Sequence, residues 1–454
     1  MKRPMEAPVQ REQKFRSWAK WCRSWANWLR SWANWLFLYG YDWTLTASQF
    51  RSTVSRPTRR KAGARVDEIT IVGGGLAGLT AAISGAEAGA RVRLLEAYEE
   101  LGGRARSMPA PYKANLGPHA LLSRSPFWHW LAERDLLPAH ARPPLSGVRF
   151  RWRDDIRRVP AVGATVSALR LRGRTAPVDL DFRTWATDHV GAEAADALGR
   201  SAGILTYFHD PGELSAAFVW DPLVRGLLSA PPTARYPIGG WSTIVEQLRE
   251  RAVAIGVSIE TGIRVEELPA PPVIVATELA DARRLLADDS LRWLSGHAVC
   301  LDLALRHRRG DPFVVVDLQE TGWVERYTAA DPSVAPPGEE LIQAQMPIRP
   351  GESADSAADR LERLLDVAYA DWRARETWRR RQVMDGRTGA LDPPGMTWRD
   401  RPAIDRGDGV FLAGDMVAAP GCLSEIAWGS AIEASRLAVQ AARGAASRAR
   451  TGVR

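Results

Sequence analysis

The sequence predicts an α/β fold, a parallel sheet with helices on both faces, interleaved with a second domain of mixed sheet and helices. The main observation is a short β-branched strand, a glycine-rich turn and an alanine-rich helix, which follow one another within 68–97. Strand and helix patterns return at 236–286 and again at 401–442. The segments between these stretches are rich in Pro and Arg or in strands, which assigns them to the second domain.

Composition narrows the class of protein. The chain has 454 residues, 45% of them hydrophobic and 25% charged, which is ordinary for a folded protein and long for a single core. No uninterrupted apolar run is long enough to predict a spanning helix. The cysteines Cys22, Cys300 and Cys422 are odd in number and lack C-x-x-C spacing, so we expect neither a disulfide framework nor a metal site. A cytoplasmic location fits this pattern.

The net charge of +8 would suggest a nucleic acid or an anionic membrane as partner. However, residues 1–65 hold 14 Lys and Arg against 3 Asp and Glu and carry +11, so the remainder carries −3. The basic character therefore belongs to the start of the chain, and we expect no nucleic-acid partner for the body.

Residues 1–45 contain a seven-residue unit that is written three times, and residues 46–66 have the composition of a basic linker. Tryptophan recurs in these units at Trp18, Trp21, Trp25, Trp28, Trp32 and Trp35. On a helix these rings form one stripe, with arginines on the other side, which predicts that 16–37 lies on a membrane surface. A repeated stretch of DNA upstream of a start nearer Val54 or Val66, or another partner, would also account for the repeats.

The phosphate-binding turn is the most informative feature. Gly73, Gly75 and Gly78 form G-x-G-x-x-G directly after an apolar strand. The first glycine permits the tight turn, the second lets a pyrophosphate approach the backbone, and the third lets helix and strand pack closely. The helix that begins near Leu76 and Ala77 offers free N–H groups to an anion.

Glu96 ends the second predicted strand, 18 residues after Gly78, where a carboxylate can accept hydrogen bonds from ribose hydroxyls. A lone glycine motif is weak evidence. Here the strand, helix, second strand and acid occur in the expected order, which predicts a Rossmann-like dinucleotide-binding domain.

The segment that follows resembles a known superfamily. "LGGRARS" (101–107) is similar to the L-G-G-R-x-x-S/T segment of flavin amine oxidases, protoporphyrinogen oxidases and phytoene desaturases. The resemblance implies FAD as cofactor, bound through Gly102, Gly103 and Arg104, whose guanidinium would pair with the pyrophosphate or a flavin carbonyl. "NLGPHAL" (115–121) is similar to the segment that runs near the isoalloxazine ring in that superfamily.

Two later segments extend the resemblance over about 67–442. Within 236–268, Val265 would contact the adenine region through its backbone. Within 409–442, Gly414 and Asp415 match the strand end whose acid binds the ribityl chain or a nearby phosphate. Two departures stand out: few residues separate 236–268 from the returning strand near 273, and Ser430 stands where a glycine is usual.

The reaction that we expect depends on which branch of the superfamily the sequence resembles more closely. Amine oxidases typically keep a substrate-domain lysine, and this chain has none after Lys113. The stretch 297–352, with Pro336, Pro337 and Gly338, is more similar to phytoene desaturases. We therefore expect an FAD-dependent oxidoreductase that dehydrogenates an apolar, isoprenoid- or polyene-like small molecule by hydride transfer to flavin N5. A peroxide-producing amine oxidase, a flavin-dependent isomerase or saturase, and an FAD-stabilised binding protein without turnover are the alternatives.

No catalytic side chain is predicted. His119 and Cys422 could face substrate or flavin, but structural roles fit both of them better, and Trp241 could line the flavin pocket or simply pack in the core. The expected organisation is an arm (1–45), a linker (46–66), FAD-binding parts (67–140, 236–286 and 401–442), substrate-domain parts (141–235 and 287–400) and a tail (443–454).

Overall fold

The computed structural model describes residues 68–117, 120–152, 155–158, 170–229 and 231–451. The predicted arm and linker, and His119, lie outside these residues. Within the described part, no helix combines the length and apolar character that crossing a bilayer requires.

The strands of the described residues form three sheets. In chain order they are β1 (Glu68–Val72), β2 (Arg91–Leu95), β3 (Leu121–Leu122), β4 (His140–Ala141), β5 (Val148–Trp152), β6 (Asp155–Arg157), β7 (Ala234–Pro237), β8 (Ser258–Glu260), β9 (Val273–Val275), β10 (Ser295–Arg306), β11 (Val314–Asp317), β12 (Trp323–Arg326), β13 (Glu339–Pro347), β14 (Glu376–Ala390) and β15 (Val410–Leu412).

The α-helices fall between and after these strands. They are α1 (Leu76–Glu87), α2 (Pro126–Ala132), α3 (Phe182–Val190), α4 (Ala192–Ser201), α5 (Gly203–Thr206), α6 (Ala216–Pro222), α7 (Ser242–Ala254), α8 (Leu279–Leu286), α9 (Ala354–Ala368), α10 (Trp372–Arg375) and α11 (Ser424–Thr451). A π-helical turn at Leu223–Leu227 follows α6.

The first sheet is parallel and has the strand order β15-β9-β1-β2-β8. The three neighbouring strands β1, β9 and β15 are largely apolar, as expected where helices bury both faces of a parallel sheet. Helix α1 packs against α7 and α11, and alanines along α1 and α11 permit close approach. The carboxyl ends of the five strands meet at one edge, where ligands bind in open parallel sheets.

The second sheet is mixed, with the order β14-β10-β13-β12-β11-β5-β6. One face is apolar: Leu301, Leu303 and Ile342 pack there against α9 through residues such as Leu361. The opposite face bears buried polar side chains at alternate positions, because successive side chains of a strand point to opposite sides. A separate helical cluster of α3, α4 and α6 is built around Phe182.

The residue pattern at about 355–380 predicts one long helix, and this prediction is wrong in its second half. Helix α9 ends at Ala368, and Glu376 begins a strand of 15 residues that pairs with β10. From Glu376 to Asp385 the side chains of β14 are alternately half-buried and exposed, but Arg379, Arg380 and Arg381 are consecutive, so no period-2 pattern marks this strand in the sequence. At the other end of the chain, α11 continues to Thr451, so the predicted boundary at 442 falls inside a helix.

Candidate dinucleotide-binding site

The glycine-rich turn follows β1 and has the geometry that the sequence predicted. Gly73 has a φ of +106°, and a Cβ there would lie 2.6 Å from the carbonyl oxygen of Ala276. A Cβ on Gly78 would lie 1.8 Å from the Gly73 oxygen. Both positions therefore require glycine, one for the turn and one for the close contact of α1 with the turn.

Gly75 differs from the other two glycines of the motif because it faces open space. The nearest atom to a Cβ placed there is the carbonyl oxygen of Gly102, at 4.0 Å. Gly75 is the N-cap of α1, whose first turn has neither a side-chain cap nor an acidic residue. The amides of Leu76, Ala77 and Gly78, in that first turn, lack intrahelical partners and suit an anion.

Glu96 lies immediately after β2 and is 7% exposed. Its Oε2 accepts a hydrogen bond of 2.6 Å from the Gly74 N–H, and its Oε1 accepts one of 3.0 Å from the Tyr98 N–H. The carboxylate is thus held beside the turn, and each oxygen keeps a further lone pair for a hydroxyl donor.

The segment after Glu96 folds back over the turn. Gly102 donates its N–H to the Gly74 carbonyl oxygen at 2.8 Å and has a φ of +106°. A Cβ on Gly103 would lie 3.5 Å from the Gly75 Cα. The two predicted glycine segments therefore lie side by side around the open position at Gly75.

Arg104 and Asp415 lie 311 positions apart in the sequence, and their side chains form a bidentate ion pair. Arg104 Nη1 and Nη2 each lie 2.8 Å from a different Asp415 oxygen. Burial opposes the guanidinium charge, but Asp415 outweighs it and raises the pKa of Arg104 above its ordinary value. Arg104 Nη1 also donates to the Arg387 carbonyl oxygen at 2.6 Å. The two predicted residues thus bind each other.

Gly414 lies between the end of β15 and Asp415. Its N–H donates to Ser430 Oγ at 2.9 Å, so the serine that departs from the usual glycine ties α11 to this strand end. A small recess of about 10 Å³ lies at the carboxyl ends of β9 and β15, with Thr277, Gly414 and Asp415 among its walls.

Val265 stands apart from this group. It lies in the loop between β8 and β9, and its side chain packs on Val72, Val273 and Val410 beside the sheet. That loop, 261–272, contains no strand, which agrees with the short connection noted in the sequence.

Trp241 and Cys422, which were considered above for a role near substrate or flavin, are both buried. Trp241 is fully buried in the core of the first domain. Cys422 is 7% exposed, and burial raises the pKa of its thiol above the ordinary value. Its neighbour Glu425 pairs with Arg225 at 2.9 Å, an ion pair that the sequence did not suggest.

The sequence did not predict several further polar contacts around the site. Arg387, in β14, pairs with Glu278 after β9 and so joins the two sheets. Asp302 and Gln343 lie on the polar face of the second sheet. Their positions in the sequence could have indicated buried polar side chains. Asp302 interrupts an apolar strand, and Gln343 alternates with apolar residues in "LIQAQMP".

One protein-family model and one curated relative each match a short stretch of this chain. The family model for the NAD(P)-binding Rossmann-like domain matches residues 71–134. A carotenoid 3,4-desaturase of Haloarcula japonica is 42% identical over 67 residues, which is 14% of this chain and 14% of the desaturase. The aligned part is thus a small fraction of that relative.

Solved structures match over most of the chain. An oxidoreductase from Methanosarcina mazei has a TM-score of 0.67 at 17% identity, covering 80% of this chain and 99% of that protein. A cyclohexylamine oxidase from Brevibacterium oxydans has a TM-score of 0.60 at 13% identity, covering 84% and 99%. At such identities the likeness concerns the fold.

The predicted resemblance is therefore confirmed in the fold and in the glycine-rich segment. The chain shares its fold with the Methanosarcina mazei oxidoreductase and the cyclohexylamine oxidase, and its residues 71–134 match the NAD(P)-binding Rossmann-like domain.

Proposed function

We propose that the dinucleotide held at this site is FAD and that the protein is an FAD-dependent oxidoreductase. The observation that carries the proposal is the open position at Gly75, with a helix N-terminus on one side and Glu96 on the other. A pyrophosphate fits the first and a ribose hydroxyl fits the second. FAD, when bound, supplies an acceptor for hydride.

The chain's own residues would bind and orient the cofactor. The amides of Leu76 and Ala77 would receive the pyrophosphate, and Glu96 would accept from the ribose. Asp415, held by Arg104, would offer its oxygens to hydroxyls at the carboxyl end of β15. Because Arg104 is already paired with Asp415, binding of a phosphate by Arg104 requires that this ion pair rearrange.

We infer further that the substrate is an apolar, isoprenoid- or polyene-like small molecule. Two features support this. A relative that is 42% identical over 67 residues is named a carotenoid 3,4-desaturase, and the chain has no lysine after Lys113. The protein would then act by positioning a substrate C–H bond and excluding water, without a side-chain base.

Oxidation of an amine is the second candidate, and one observation favours it. The polar face of the second sheet bears the buried carboxylates of Asp302 and Glu325, which attract a cationic group; Asp302 already pairs with Arg380 and Glu325 accepts from Tyr236, so a substrate cation would compete with these partners. The structural neighbour named cyclohexylamine oxidase agrees with this reading at the level of the fold alone.

The test combines cofactor identification with anaerobic reduction. The full chain is purified, the released cofactor is identified by chromatography and mass, and flavin absorbance is followed as polyenes or amines are added without oxygen. We expect FAD, and bleaching by a polyene. Release of a nicotinamide cofactor alone contradicts the FAD proposal. Robust peroxide from a primary or secondary amine in air contradicts the desaturase-like proposal, and bound FAD that no substrate or reductant bleaches contradicts enzymatic activity.

A peripheral membrane location through residues 16–37 is also a proposal. It would place the protein at the surface where an apolar substrate dissolves, and the charge of +11 on residues 1–65 supports it.

A further inference from the structure

Asn115 lies where the two domains meet, and it is 2% exposed. Its side-chain Oδ1 accepts hydrogen bonds from Ser107 Oγ at 2.7 Å and from the Trp241 N–H at 3.1 Å. Ser107 follows the pair Gly102 and Gly103, and Trp241 lies in the turn before α7. These two hydrogen bonds hold the Asn115 Oδ1 against the first domain.

The backbone of Asn115 is bound from the other side by the second domain. Gln343, in β13, donates from Nε2 to the Asn115 carbonyl oxygen at 3.0 Å, and its Oε1 accepts from the Asn115 N–H at 3.2 Å. One side-chain amide thus pairs with both backbone groups of one residue, as a neighbouring strand would.

Asp302 determines which way the Gln343 amide points. Its Oδ1 accepts from Gln343 Nε2 at 2.8 Å, and an ionised carboxylate can only accept. The Gln343 NH₂ group must therefore face Asp302, which leaves Oε1 for the Asn115 N–H. Arg380 balances the buried charge: its Nε lies 2.7 Å from Asp302 Oδ2, and its Nη2 donates to the Asn115 carbonyl oxygen at 3.4 Å.

The segment that begins at Asn115 rests on the cofactor side of the first domain. The Leu116 N–H donates to the Arg106 carbonyl oxygen at 2.9 Å. A Cβ on Gly117 would lie 2.9 Å from the Arg104 carbonyl oxygen. Arg104 in turn holds Asp415. A chain of direct contacts therefore runs from Asp302 to the ion pair beside the proposed cofactor.

We propose that Gln343, oriented by Asp302 and Arg380, is a positioning residue through which the second sheet holds 104–117 in the geometry that the cofactor site needs. This inference rests on the proposed function in one respect only, that the site takes FAD. The placement of 104–117 can be measured without cofactor.

The test compares two substitutions on the same face of β13. Gln343→Leu removes both hydrogen bonds to Asn115. Gln345→Leu is the matched control, because Gln345 is 1% exposed and its Nε2 approaches the Gly203 carbonyl oxygen at 3.4 Å, away from Asn115. Hydrogen–deuterium exchange of the cofactor-free full chain should rise in peptides covering 104–117 for Gln343→Leu and not for Gln345→Leu.

The same pair is then titrated with FAD. We expect the FAD dissociation constant to rise about three- to tenfold in Gln343→Leu, with an altered visible circular dichroism of the bound flavin, and to be unchanged in Gln345→Leu. Unchanged exchange of 104–117 in Gln343→Leu, or equal changes in both variants, would overturn the proposal, as would raised exchange with unaltered FAD affinity. If the wild-type protein binds no FAD, the proposed function fails, while the exchange experiment still decides whether Gln343 holds 104–117.

A second variant covers the case in which Gln343→Leu does not fold. Gln343→Glu keeps the size of the side chain but cannot donate to Asn115 and repels Asp302. Adding Asp302→Asn removes the repulsion, so the double variant should recover part of the protection of 104–117 that Gln343→Glu loses. Absence of any recovery contradicts the orienting role of Asp302.

Discussion

Glu96 accepts hydrogen bonds from two backbone amides, so its carboxylate has a structural role beside the ribose-binding role that we propose for it. The bond from Gly74 closes the glycine-rich turn onto the second strand. The remaining lone pairs are those that a ribose would use. Substitution at this position should therefore alter stability and cofactor affinity together.

Glu96→Gln tests that double role. The glutamine amide would place an NH₂ group against one of two N–H donors, which should lower the free energy of unfolding by about 1–3 kcal/mol. We expect the FAD dissociation constant to rise about tenfold as well, because a ribose hydroxyl loses a charged acceptor. Denaturant unfolding and fluorescence titration measure the two effects. Glu266→Gln, at an exposed position, is the control, and equal behaviour of the two variants would contradict the role of Glu96.

At the scale of the element, the contact of α1 with the turn after β1 depends on one missing side chain. A Cβ on Gly78 would enter the space of the Gly73 carbonyl oxygen, which belongs to the backbone and cannot move aside cheaply. The constraint is therefore on how closely helix and turn approach, and it exists without ligand.

We expect Gly78→Ala to lower the free energy of unfolding of the cofactor-free protein by about 2–3 kcal/mol through overpacking. Gly444→Ala is the matched control: Gly444 lies in α11 with nothing within 4 Å of its Cβ position, so alanine should raise stability by about 0.5–1 kcal/mol. Denaturant melts of the three proteins provide the comparison. If Gly78→Ala melts like the wild type, the described packing of α1 is wrong.

A buried acid at the start of β13 gives a pH-dependent prediction. Burial opposes the charge of Glu340, but hydrogen bonds from Thr328 and His307 and the Arg326 guanidinium, 3.0 Å away, outweigh it and lower the pKa of Glu340. A lowered pKa in the folded state stabilises the fold at pH values above the ordinary carboxyl pKa, and this stabilisation disappears as pH falls through the folded value.

Glu340→Gln should therefore cost about 2–3 kcal/mol at neutral pH, and the difference from wild type should shrink in acid, as Glu340 itself becomes protonated. Unfolding curves at neutral pH and at successively lower pH values test this. A difference that stays constant below the ordinary carboxyl range would show that the charge of Glu340 does not provide the stabilisation.

The elements also show what the sequence can and cannot predict. The turn at Gly73, the start of α11 at Ser424 and the pairing of parallel strands follow from local patterns, and the structure contains them. The strand at Glu376–Ala390 was missed because its partner, β10, lies 70 or more residues earlier in the chain. The Arg104–Asp415 and Gln343–Asn115 contacts were missed for the same reason, since no local pattern relates residues more than 200 positions apart.

At the scale of the whole molecule, charge separates the chain into two parts. Residues 66–454 carry −3, and residues 1–65 carry +11. Binding to an anionic surface would therefore depend on the first part alone.

We expect the full chain to sediment with vesicles that contain anionic phosphatidylserine, and a chain of residues 66–454 to remain in the supernatant. Binding should weaken as salt is raised, because the attraction is electrostatic. Vesicles of neutral phosphatidylcholine serve as the control. Equal sedimentation of the two chains, or no sedimentation of either, would contradict a membrane role for residues 16–37.

The central claim is that FAD occupies the open position at Gly75, and one titration tests it most directly. In Gly75→Ala the new methyl group collides with no protein atom. Alanine is a poorer N-cap than glycine, which lowers stability, but it also lowers the entropy of the unfolded chain, which raises stability by a similar amount. The free energy of unfolding without cofactor should therefore stay within about 1 kcal/mol of wild type. The methyl group would occupy the space of the pyrophosphate, so we expect FAD to bind about tenfold or more weakly. FAD binding as tight as in the wild type would contradict the claim.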